Sequence, residues 1–150
     1  MIAKKLAKIF CSGFGMGYVP KIPGTFASLI ILFPVWFLKE NFDLSFLIFL
    51  IIIYSSISFY FINIIIKEEK NKDPSFIIVD EHIGQAIALI FCQESFNDYI
   101  ISFILFRFFD IFKPFPVNYF DKLKNTYGVL LDDIVAGILV SVIFWLFYVF

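Results

Sequence analysis

Asp132 and Asp133 stand side by side in "LLDDIVAG", at the head of an almost wholly apolar run that ends at Phe150. An ionised carboxylate beside hydrocarbon is costly, so in such a place it has a partner or a chemical role. Three other stretches hold similar residues: "KIPGTFAS" (21–28), "DEHIG" (80–84) and "FRFFDIFKPFP" (106–116). Together the four supply the acids Asp80, Glu81, Asp110, Asp132 and Asp133, with Lys21, Thr25, Arg107 and Lys113 among them. Converging carboxylates offer the hard oxygen ligands that Mg²⁺ takes, one or two at a time, alongside water and phosphate oxygens. Lys21, Arg107 and Lys113 can then balance the charge of a phosphate.

Spacing indicates how the acids come together. Asp80, Gly84 and Ala88 follow at i, i+4 and i+8, as do Asp133, Gly137 and Ser141. On helices each set makes a stripe of small residues headed by an acid. Small stripes let membrane helices approach closely, and two such stripes in contact would bring their leading carboxylates together. Gly24 and Ser28 repeat the spacing after Pro23, a residue suited to a helix's first turn. Asp133, which heads its stripe, should point inward to the metal. Asp132, about 100° further round the helix, can support it from behind.

The elements that carry these residues are membrane elements. Hydrophobic residues make up 61% of the 150, with 23 phenylalanines and a mean hydropathy of +0.90, well above the roughly 45–50% apolar content of soluble domains. The length fits one domain, residues 1–150. Apolar stretches lie at 26–38, 44–66, 83–106 and 134–150, the third broken by "QESFND" at 93–98. With "KENFD" at 39–43, that break predicts two helical hairpins, the second with arms of only about ten residues, or roughly 15 Å. The hairpins put Lys4, Lys5, Lys8, Lys21, Lys67, Lys70, Lys72, Arg107, Lys113, Lys122 and Lys124 on one face and leave only Lys39 on the other. By the positive-inside rule that face is cytoplasmic. The expected fold is all-α: a compact bundle of membrane-embedded helices and hairpins, with its polar active-site loops on the cytoplasmic face of the inner membrane.

Several function classes drop out. A net charge of −1 lacks the basic excess of a nucleic-acid binder. Cys11 and Cys92 have no metal-ligand spacing and read as small core residues. A Cys-x₅-Arg phosphatase loop is excluded because the one arginine, Arg107, has no cysteine near it. The single histidine, His82, rules out a two-histidine phosphoenzyme, and no Asp-x-Asp pair is present. His82 reads as interfacial packing, "KEEKNK" (67–72) as a solvated loop, and Lys4, Lys5 and Lys8 as the anchor of an amphipathic N-terminal helix. Two alternatives stay open: Arg107 as a partner of Asp110 or of substrate, and Thr25 as a helix cap or a substrate contact.

The four stretches, in this order and spacing, resemble the bacterial phosphatidylglycerophosphatase A family of membrane lipid phosphatases. They match its "PGT-x-G-S", "DE-x-x-G", "FR-x-FD-x-x-KP-x-P" and "DD-x-x-A-G" elements, except that Ala27 stands where the first has its second glycine. The resemblance implies Mg²⁺-dependent hydrolysis of phosphatidylglycerophosphate, a lipid phosphomonoester, to phosphatidylglycerol and inorganic phosphate. Carried over residue by residue, it implies Asp80, Glu81, Asp110 and Asp133 as catalytic and Lys21, Thr25, Arg107 and Lys113 as substrate-binding. Asp132 would join the four acids in holding metal. The main rival is a small non-enzymatic membrane subunit whose acids are structural or conduct ions; it predicts acids at mid-bilayer depth rather than at the boundary. Oligomeric state is left open by the sequence.

Overall fold

The computed structural model describes residues 2–68 and 74–150. Lys70, Lys72 and the greater part of "KEEKNK" lie outside them. The described residues are helical, without strands: α1 (Ile2–Cys11), a 3₁₀ turn (Met16–Tyr18), α2 (Pro23–Asn41), α3 (Leu44–Glu68), α4 (Val79–Ala88), α5 (Phe96–Phe112), α6 (Val117–Asp121) and α7 (Thr126–Val149).

Local chemistry sets most boundaries. Pro23 opens α2, where its missing N–H costs nothing. Asp43 Oδ1 accepts from Phe46 N (3.0 Å) at the start of α3, so only Phe42 and Asp43 separate the arms of the first hairpin. Ser95 caps α5 by accepting from Asp98 N, and Lys113 ends it in the left-handed region at φ 44°. Asn125 caps α7 by accepting from Gly128 N (3.0 Å).

One of these boundaries extends the sequence reading and one differs from it. The apolar run at 134–150 belongs to a helix that begins at Thr126, so Asp132 and Asp133 lie inside α7, on the helix that their spacing implies. The Asn125 cap, well ahead of the apolar run, sets that start. The second hairpin has one arm of ten residues, α4, and one of seventeen, α5, because the Ser95 cap starts α5 within "QESFND".

α3 and α7, at 25 and 24 residues, are long and apolar enough to cross a bilayer, whose hydrocarbon is about 30 Å thick. Large apolar side chains such as Phe33, Ile52, Ile104 and Phe147 lie exposed on α2, α3, α5 and α7, as expected of helices facing lipid. The polar α4 is the buried one: every residue in it except Glu81 is buried. It packs most extensively on α7, and also on α2, α3 and α5. One apolar cluster joins α2, α4, α5 and α7 around Phe106 and Val140. A second joins α1, α3, α4 and α7 around Ile62, Ile65 and Ile83.

Candidate active site

The α4–α7 crossing is made by the two small stripes. A Cβ added to Gly137 would sit 2.2 Å from the Gly84 carbonyl oxygen, and one on Gly84 would sit 2.6 Å from the backbone carbonyl oxygen of Asp133. Only glycine at both positions lets the backbones touch. One turn before Gly84 and one before Gly137, Asp80 and Asp133 therefore meet, both buried.

Glu81 reaches the same place from another side. Gly24 in the first turn of α2 leaves room for it, since a Cβ there would lie 2.2 Å from Glu81 Oε1. Asp80, Glu81 and Asp133 can each offer one oxygen, and these oxygens all lie within 4.8 Å of one another. This buried acidic cluster can hold a metal ion.

The other two acids are compensated. Asp110 Oδ2 pairs with Arg107 one turn earlier on α5 (2.5 Å). Asp132 Oδ2 pairs with Lys113 Nζ (2.8 Å), which also binds Asp121. Five carboxyls thus face two cations, each cation is taken by one of the five, and the three left over are the cluster. None of the three forms an ion pair among the described residues, and Glu81 Oε2 is buried without a hydrogen-bond partner.

The electrostatics follow. Burial, then the neighbouring Glu81, holds the Asp80 carboxyl well above the usual carboxylate range. Burial, with Asp133 and Asp110 nearby, pushes Glu81 up to about 8 against the opposing pull of Asp80's hydrogen bond and of Arg107. Burial alone would lower the Lys113 ammonium, but its carboxylate partners outweigh it and hold the group above its ordinary value. Without a further positive charge, three ionised carboxylates do not coexist in this space.

The remaining sequence candidates fall at different distances from the cluster. Arg107 borders it: its Nη1 reaches Ser28 Oγ (3.4 Å), its Nε has no partner, and it lies close to Gly24. The Arg107–Asp110 ion pair exists, and the guanidinium still faces the site. Thr25 is the third residue of α2 and half-buried; the cap position is Ile22, which gives no side-chain cap. Lys21 is exposed at φ 77° in the loop before α2 and forms no ion pair with a described residue. Ala27 lies in the helical backbone of α2, fully buried, so no glycine is needed there. His82 is buried, with Nδ1 3.2 Å from the Tyr54 hydroxyl; it packs between α3 and α4.

Sequence reasoning did not find Ser28, Asp121 or Lys39. Ser28 donates to Gly24 O (2.9 Å) and accepts from Arg107, holding the α2 turn to the guanidinium. Its place in the Gly24/Ser28 stripe was the available signal. Asp121, eight residues from Lys113, had none; Lys39 was placed on the face of "QESFND" by the hairpins, but no spacing pairs it with Leu89 O and Cys92 O.

A family model for Phosphatidylglycerophosphatase A matches residues 9–148, nearly the whole chain. The chain belongs to the phosphatidylglycerophosphatase A family. The phosphatidylglycerophosphatase A of Escherichia coli (strain K12) is 31% identical over 129 residues, covering 85% of this chain and 74% of that protein. That of Haemophilus influenzae is 36% identical over 134 residues, covering 84% and 78%. A Bacteroides thetaiotaomicron protein, under the provisional name phosphatidylinositol-3-phosphatase, is 32% identical over 144 residues, covering 89% and 91%. No solved structure matches the chain. Membership of the phosphatidylglycerophosphatase A family, together with α3 and α7, makes this a membrane protein.

Proposed function

We propose that the chain, as one domain, hydrolyses the phosphomonoester of phosphatidylglycerophosphate to phosphatidylglycerol and inorganic phosphate, with Mg²⁺ held by Asp80, Glu81 and Asp133. The observation that carries this reading is the trio of buried carboxylates left without a cation, inside a family of lipid phosphatases. The donor set fits Mg²⁺: carboxylate oxygens only, one orphaned, in a cradle that a Cβ at Gly24 would fill. A divalent cation there supplies charge neutralisation at the phosphate and a water acidified for attack.

The chain's own residues do the rest. Arg107, steadied by Asp110 and Ser28, directs its unpartnered Nε to a phosphate oxygen. Thr25, half-buried in the first turn of α2, offers a hydroxyl beside the N-terminal end of that helix, which favours an anion. Lys113 neutralises Asp132, which lies directly beside Asp133 and accepts from its backbone N–H (3.0 Å). Lys21, exposed at the rim, draws the anionic headgroup in over a longer range. In the reaction water adds to phosphorus, the bond from phosphorus to the glycerol oxygen breaks, and that oxygen leaves with a proton.

Placement in the bacterial inner membrane with the acids facing the cytoplasm is supported by the basic residues. Lys8, Lys21, Lys67, Lys113, Lys122 and Lys124 belong to the helix ends and loops on the acidic side, and Lys39 to the other.

The test is phosphate release by the purified protein in mixed micelles, from phosphatidylglycerophosphate, phosphatidylinositol 3-phosphate and soluble glycerol 3-phosphate. Release chiefly from phosphatidylglycerophosphate is expected. Faster release from the inositol lipid would move the headgroup assignment to the activity for which the Bacteroides relative is named. Release from the soluble ester alone would reject a lipid substrate.

A further inference from the structure

An apolar groove of about 340 Å³ opens between α2, α3 and α4. Ile31 and Leu38 of α2, Ile53 and Ile57 of α3, and Ile83 and Ala86 of α4 line it, and its exposed wall is wholly apolar. The Tyr54 hydroxyl, on the same wall, is taken up by His82 Nδ1. The active site does not use this space. Its volume is that of a small-molecule site, and its chemistry admits hydrocarbon but neither a glycerol nor a phosphate.

Two of its three walls start in the active site. α2 carries Gly24 and Ser28 against Glu81 and Arg107, then reaches Ile31 seven residues later, about 10 Å along a helix. α4 carries Asp80 and Glu81, then Ile83 and Ala86 on its next turn. A lipid with its phosphate at the acids therefore has its glycerol alongside α2 and α4, and the groove begins where the chains begin. α3, the third wall, is a candidate membrane span, so the groove lies at hydrocarbon depth.

We propose that this groove holds one acyl chain of the substrate lipid and sets the enzyme's chain-length preference. This rests on the lipid phosphatase reading above and adds the surface by which a lipid is told from a soluble phosphate ester.

Ile53→Trp and Ile57→Trp, made separately, put an indole into the groove from exposed positions on α3. Ile52→Trp, also exposed but outside the groove, is the control. Each is assayed against dioleoyl and dihexanoyl phosphatidylglycerophosphate in mixed micelles. For the dioleoyl substrate, KM should rise about tenfold in the groove variants, the loss expected when about two chain methylenes are displaced. The dihexanoyl substrate, whose short chains fill only the start of the groove, should lose much less, and Ile52→Trp should change neither. Equal loss on both chain lengths, or no loss on either, overturns the groove while lipid hydrolysis stands. Failure of the wild type on both lipids overturns the lipid phosphatase reading itself, and the groove with it.

Discussion

The two ends of α4 are both charged, and they are charged in opposite ways. At its C-terminal end the Lys39 ammonium, largely buried, donates to Leu89 O (3.1 Å) and to Cys92 O and lies 3.6 Å from Glu94. Close by, Asp98 Oδ2 accepts from Gln93 N (3.0 Å) and from the Tyr148 hydroxyl. Lys39, Glu94 and Asp98 each have a partner there. At the N-terminal end Asp80 and Glu81 meet Asp133, and the partners run out. The helix dipole favours both arrangements, but it supplies only roughly half a charge at each terminus, too little for three carboxylates. What separates the ends is compensation. The Lys39 end closes the backbone of a short helix, its ammonium taking up carbonyls that the last turn leaves open. The acidic end is left with a charge deficit that something from outside must fill.

Removing the deficit should have the largest effect. Asp80→Asn or Asp133→Asn should lower turnover by at least about 10²-fold, the scale seen when a charge-stabilising group is lost from an active site. Stability should be unchanged or improved, because one buried like charge is gone. Phosphate release and thermal unfolding on the same preparations check both halves.

Pulling the ends of the stripes apart comes next. Gly137→Ala places a methyl against the Gly84 carbonyl, so α4 and α7 must separate. A stability loss of about 1–3 kcal/mol is expected from such overpacking, together with a weaker cation affinity, since Asp80 and Asp133 sit on opposite helices.

Breaking the compensated end should do the reverse. Lys39→Met leaves the Cys92 carbonyl without its donor, while Leu89 O keeps the Cys92 N–H (3.2 Å), and should cost roughly 1–3 kcal/mol of stability. Cation affinity at the acidic end should not change. A cation affinity that fell in step with stability would mean that the two ends are one unit.

The smallest expected effect is on pH dependence. Glu81 binds its proton more tightly in the folded protein, at about 8 against an ordinary 4.5. Without divalent cation, its contribution to stability is therefore complete below pH 4.5 and is lost as pH rises towards 8. A cation bound by the same carboxyls displaces protons, so its affinity should rise over that range. Melting temperatures at pH 5 and pH 8, with chelator and with Mg²⁺, should show Mg²⁺ stabilising more at pH 8.

The acidic end was the more legible of the two in the sequence, for a physical reason. Its parts are local: an acid four residues before a glycine marks a helix face on either strand of the pair, and Asp80/Gly84 and Asp133/Gly137 do meet as that spacing implies. The hairpin turns were also visible, because "KENFD" and "QESFND" interrupt apolar runs. The Lys39 end was hidden because its contacts run fifty residues along the chain. The full length of α7 was not visible in hydropathy, which marks where lipid begins, while the Asn125 cap marks where the helix begins. Of the two pairs that divide the five acids, Arg107–Asp110 was open in its i, i+3 spacing, and Lys113–Asp132 was hidden. Lys113 joins Asp121 and Asp132 only through the turn that ends α5, and no spacing rule carries that.

The central claim is that the three uncompensated carboxylates hold a divalent cation on which hydrolysis depends. The most direct measurement is phosphate release from phosphatidylglycerophosphate by one purified preparation, first in excess chelator and then across a Mg²⁺ titration. The account predicts no turnover in chelator and saturable recovery with Mg²⁺, absent in Asp133→Asn. Full turnover in chelator would contradict it.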